Sequence, residues 1–162
     1  MAEGVCAPWE SPPDGYRTEY SIYGRIDVDS LLARARPKGH CEVWRRGDAT
    51  EFGTASSSGI TVPVSDGASR EQLFRDVKRF LNRERSFLLA ASRIRGPVQR
   101  GLVTSITAGL GDIPVGFELP PPLLALAGQR RVSWAFMTYP RTWAPSNNEY
   151  LDSSGQVKGR GR

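Results

Sequence analysis

Histidine occurs once in this chain and cysteine twice, so the residues that most often hold zinc or build disulfide scaffolds are nearly missing. Cys6 lies in a proline-rich lead and Cys41 directly follows His40, the single histidine. Neither a dense cysteine framework nor a recurring zinc-ligand spacing is present, so no metal and no cofactor is expected. No apolar run approaches the roughly 18 residues that mark a membrane-spanning helix. The opening MAEGVCAPWESPPDGY also lacks the basic-then-apolar order of a signal peptide. The expectation is a cytoplasmic protein with no membrane partner.

Acidic side chains are sparse in one interval. Residues 70–100 hold 9 basic and 3 acidic side chains, against 7 and 10 in residues 1–69 and 6 and 4 in residues 101–162; that interval carries the excess behind the net charge of +5. Nineteen of the 22 basic residues are arginine. The guanidinium fork suits carboxylate or phosphate recognition, although a GC-rich genome gives the same bias through its codons.

At 162 residues the chain is long enough for a core that needs no disulfide or metal. One domain is expected over residues 18–144, between a flexible lead at 1–17 and a disordered basic tail at 145–162. Alternation predicts a first strand over Thr18–Ile26, with Tyr20 and Ile22 facing one way. Asp27 and Asp29 offer N-caps to a helix over Ser30–Arg36. His40–Arg46 reads as a short strand with Cys41 and Val43 on one face and Trp44 on the other, followed by a turn at Gly47 and Asp48. Ile60–Val64 reads as an edge strand, because Pro63 cannot donate to a ladder.

Ser69 and Gln72 match a capping box at the head of a long helix whose apolar face is Leu73, Phe74, Val77, Phe80 and Leu81. Phe87–Ala91 continues that helix or follows a kink. Leu102–Leu110 and Val115–Leu119 read as strands. Pro120–Pro122 then open a helix over Leu123–Ala127 that Gly128 stops, and Val132–Tyr139 forms a last strand closed by Pro140. The sum is an α+β domain: a mostly antiparallel sheet with helices packed mainly on one face, in the order β-α-β-β-α-β-β-α-β.

Residue types that carry chemistry have structural roles at most of these positions. His40 and Cys41 are neighbours in a strand and point to opposite faces, which separates the thiol from the imidazole that would activate it. Asp27, Asp29 and Asp48 fit helix caps and a turn better than an acid and base pair. Gly109, Gly111 and Gly116 lack the strand, spacing and helix of a phosphate loop. No residue is assigned as catalytic, and the chain is expected to be non-enzymatic.

The motifs resemble a bacterial family of small α+β proteins of unknown function. The correspondence runs over residues 18–140: an opening strand with Gly24, then Asp27 and Leu31; WRRGD at Trp44–Asp48; SSGI at Ser57–Ile60; a long helix; and GFELPPPLL at Gly116–Leu124 before a strand ending in Tyr139 and Pro140. Some members of that family look like immunity proteins of toxin systems. The resemblance therefore implies a toxin-like protein partner, and it transfers no catalytic residue.

The expected function is a protein-binding module of immunity type. Its candidate contact residues are Trp44, Arg45 and Arg46 together with a basic stripe of Arg75, Lys78, Arg79 and Arg83. Two alternatives stand beside it. The same stripe and the KGRGR tail fit an RNA- or DNA-associated domain. A small enzyme or ligand-binding protein would place a pocket near Gly47–Gly59, lined by Asp48, Ser56, Ser57 and Ser58.

Overall fold

Alternating Tyr20 and Ile22 belong to a ten-residue strand, β1 (Gly15–Gly24), in a computed structural model that describes residues 15–50, 53–67, 69–108 and 118–140. There follow α1 (Val28–Arg34), β2 (Glu42–Trp44), a small hairpin of β3 (Ala49–Thr50) and β4 (Gly53–Thr54), and β5 (Ser58–Gly67). The chain continues through α2 (Arg70–Arg83), α3 (Arg85–Ser92), β6 (Val98–Ala108), α4 (Pro121–Gln129) and β7 (Trp134–Pro140). Among the described residues, five strands make one sheet in the order β2-β5-β1-β6-β7. Its pairs are antiparallel except β6 with β7, whose parallel register needs a crossover that α4 provides. The fold is α+β, with a mixed and mostly antiparallel sheet.

One face of the sheet carries the core. Tyr20 and Ile22 of β1, Ile60 and Val62 of β5 and Leu102 of β6 are buried in one cluster with apolar residues from all four helices. The Tyr20 ring lies 5.8 Å from that of Phe80 and 5.9 Å from that of Phe87, centroid to centroid. Burial of each such large side chain stabilises the fold by about 1.5–3 kcal/mol. The opposite face is polar: Ser21 and Thr61 share a 2.9 Å hydrogen bond, and the Tyr23 hydroxyl donates to Gln99 Oε1. Helices therefore cover the apolar face.

Among the described residues, buried polar side chains are paired. The Trp134 indole N–H donates to Thr104 Oγ1 at 2.8 Å, and the Thr104 and Thr18 hydroxyls share a bond of 2.7 Å, which ties β7, β6 and β1 together inside the core. Glu84, at the break between α2 and α3, is 1% exposed. Its carboxylate accepts from the Lys38 amide at 2.8 Å and from Arg83 Nε at 2.7 Å. That staple joins the connection after α1 to the helix break.

Several sequence expectations need correction. The first strand begins at Gly15, so residues 15–17 belong to the sheet and not to a lead, and it stops at Gly24. Gly24 has φ 142° and a Cβ there would run into the Pro97 carbonyl, so the position at the strand's end suits glycine alone. The helix expected from Ser30 starts at Val28, with Asp27 as its cap. Asp29 sits in the first turn.

β5 is interior, not an edge. Pro63 is tolerated because β2 pairs only with Gly59–Thr61, leaving that side of Pro63 beyond its reach, and a register shift lies opposite at Thr18 and Glu19. Gly128 lies inside α4, and Arg131, with φ 55°, takes the left-handed turn after it. Ala49–Thr50 and Gly53–Thr54 pair as the small antiparallel hairpin of β3 and β4. Glu118 and Leu119 form no strand, while Val115–Phe117, residues 1–14 of the lead and the tail at 145–162 lie outside the described residues.

Candidate functional site

The WRRGD segment is held by its own backbone and by α1. Trp44 pairs with Gly59 across the ladder while Val43 pairs with Ile60, so Trp44 lies on the polar face and Val43 toward the core, as alternation predicts. The indole covers Gly59 so closely that any Cβ there would collide with it. Arg45 makes a two-pronged pair with Asp29, Nη2 to Oδ1 at 2.6 Å and Nε to Oδ2 at 3.1 Å. The Arg45 hydrogen bond holds the Asp29 carboxyl below the usual carboxylate range, and the Ser30 amide does the same for Asp27.

Asp48 and Ser58 act on backbone. The Asp48 carboxylate accepts from the Arg45 amide at 2.6 Å, and the Ser58 hydroxyl accepts from the Arg46 amide at 3.0 Å. Two further amide bonds, Gly47 to Ala55 and Ala55 to Asp48, close the hairpin. These groups define the turn. Ser56 is exposed and Ser57 half-buried beside it. Cys41 is a free, half-buried thiol. Among the described residues no three histidine, cysteine or acidic side chains gather as metal ligands would.

The basic stripe is divided between two flanks of α2. On one flank, Arg79 lies 3.6 Å from Asp76, which accepts from the Ser65 hydroxyl of β5. On that side too, the Arg83 guanidinium bonds Glu84 and covers Gly39. Arg100, the last basic residue of the 70–100 interval, donates to the carbonyls of Ala91 and Ile94 at the end of α3. Trp44 stands on the far face of the sheet. The structure does not bring it together with α2.

Arg75 and Lys78 occupy the other flank of α2. One turn apart, they border a groove of about 230 Å³ between α2 and α4, lined also by Phe74, Pro120, Pro122, Leu123 and Leu126. The Ser69 hydroxyl, accepting from the Gln72 amide at 3.2 Å, fixes where α2 begins. That start places Phe74, Arg75 and Lys78 on one side by the i, i+3 and i, i+4 spacing. Leu123 is buried, while Phe74 and Leu126 are half-buried and form the apolar floor. Arg75 and Lys78 are exposed, and neither has an ion-pair or hydrogen-bond partner among the described residues.

Helical spacing puts Phe74 on the apolar face of α2, where it packs half-buried against the core, and that spacing alone does not mark the groove. Its signal was faint: Phe74 lies at the margin of the helix's apolar face, and the proline run that opens α4 supplies the facing wall. The chain matches no protein-family model, no curated protein and no solved structure. Among the described residues, no helix is long and apolar enough to cross a membrane.

Proposed function

We propose that this chain is a non-enzymatic protein-binding module that grips its partner through the groove between α2 and α4, and that it neutralises a bacterial toxin as an immunity protein does. One observation carries the reading: Arg75 and Lys78, two cations with no ion-pair or hydrogen-bond partner among the described residues, border an apolar groove. Paired cations would have to give up a bond to meet a partner, whereas these meet an incoming carboxylate directly. Such complementarity speeds encounter, and an apolar anchor in the groove slows release.

The groove's size favours an anchor over a small substrate. Its 230 Å³ falls below the roughly 300–1,000 Å³ usual for small-molecule sites. Among the described residues that line it there is no carboxylate, imidazole, hydroxyl or thiol for proton transfer or attack. The nucleic-acid reading loses support because Arg79, Arg83 and Arg100 have internal partners. The toxin part of the reading rests on the resemblance of residues 18–140 to a bacterial family with immunity-like members.

Capture from a nuclease-treated bacterial extract tests it, with the wild-type chain and the Arg75→Glu/Lys78→Glu variant as baits. The expected result is a stoichiometric protein on the wild type alone, which arrests growth when expressed and is relieved by this chain. Retention that needs nucleic acid, or that the variant leaves unchanged, sinks the proposal.

A further inference from the structure

We infer that the occupant of the α2–α4 groove is an acidic amphipathic helix of the partner protein, a step that rests on the groove being the contact surface. The described residues that line the groove are Phe74, Pro120, Pro122, Leu123 and Leu126, with Arg75 and Lys78 at the rim. Its two walls are helices, whose backbone amides and carbonyls bond internally, so it offers no ladder to an extended peptide. An extended segment would lay unpaired backbone groups over an apolar floor, which is unfavourable. A helix satisfies its own backbone and lays one apolar stripe into the groove.

Charge and spacing set the rest of the partner's chemistry. Arg75 and Lys78 are three residues apart on α2, about 5–6 Å between Cβ atoms. Carboxylates three or four positions apart on a facing helix have the same separation, so a Glu pair beside a leucine stripe meets both cations at once. The wall is also preorganised. Proline fixes φ at Pro120 and Pro122, and the Ser69 cap fixes the start of α2, which limits the ordering needed on binding.

The test is fluorescence anisotropy with the full chain and a labelled designed helix of about four turns, leucines along one face and two glutamates flanking them. The expected result is saturable one-to-one binding at low salt that weakens at least about tenfold when glutamine replaces the glutamates or when the chain carries Arg75→Glu/Lys78→Glu. A lysine version of the helix should then bind that variant and not the wild type. Binding unchanged by either substitution overturns the proposal.

Two further outcomes separate this step from the reading beneath it. Loss of the captured protein in the variant, with no helix binding to the wild type, keeps the groove as contact surface and overturns the acidic helix. Helix binding only after Tyr150→Ser/Leu151→Ser assigns the groove to this chain's own Glu149–Asp152 segment and likewise overturns it.

Discussion

Replacing Glu84 with alanine removes the acceptor that joins the Lys38 amide to the break between α2 and α3. The carboxylate is 1% exposed and bonds Lys38 N at 2.8 Å and Arg83 Nε at 2.7 Å. Arg83 is 42% exposed and regains water when its partner is lost, so its release contributes little. The part-buried Lys38 amide loses its partner, at about 1–3 kcal/mol. The deleted side chain also leaves a void in a packed region, at about 1–2 kcal/mol. Relief from burying a charge offsets part of this. The expected loss for Glu84→Ala is about 3 kcal/mol, a large share of the roughly 5–15 kcal/mol that holds a domain folded.

Urea unfolding followed by tryptophan fluorescence reads this directly. At a slope of about 2 kcal/mol per molar, the midpoint should fall by about 1.5 M. Glu84→Gln keeps an acceptor for Lys38 and should lose only about 1 kcal/mol. A Glu84→Ala midpoint within about 0.3 M of wild type would refute the staple. So would equal losses for alanine and glutamine.

Other substitutions test the core, the helix ends and the placement of Trp44. Burial pushes the Tyr20 phenol up to about 12, above its ordinary value of 10.0, so the protonated form is favoured in the fold. Its contribution is full below about pH 10 and is lost as pH rises toward about 12. Tyr20→Phe should therefore flatten the alkaline limb of the melting temperature, and identical limbs would contradict the assignment. A Cβ at Gly128 meets open space, so Gly128→Ala should stabilise α4 by about 0.5–1 kcal/mol. Arg131→Gly should add about 1 kcal/mol by relieving its left-handed backbone, and thermal melts that do not rise argue against both. Gly59→Ala should cost about 1–3 kcal/mol with Trp44 present and much less in a Trp44→Ala background, a coupling that a double-mutant cycle measures.

Local patterns were legible wherever one element decides the outcome. Alternation placed Tyr20 and Ile22 in the core and Trp44 opposite Val43, and the serine before the long helix fixed its start. Features set by distant pairing were not. Pro63 argued for an edge, yet β2 covers β5 on one short stretch only, a register no local window contains. Glu84 reads as one more charge in a basic run, and its burial depends on Lys38, 46 positions away. Gly128 resembled a stop, but α4 runs on to Gln129 and Arg131 makes the turn. The groove joins Phe74 of one helix to Leu126 of another, so neither helix's periodicity contains it.

Hydrogen exchange of the chain alone and with its captured partner tests the central claim most directly. The account predicts slowed exchange in α2 around Phe74–Lys78 and in α4 around Leu123–Leu126, with Trp44–Arg46 unchanged. Protection confined to Trp44–Arg46 or to the polar sheet face at Tyr23 and Thr61 would contradict it.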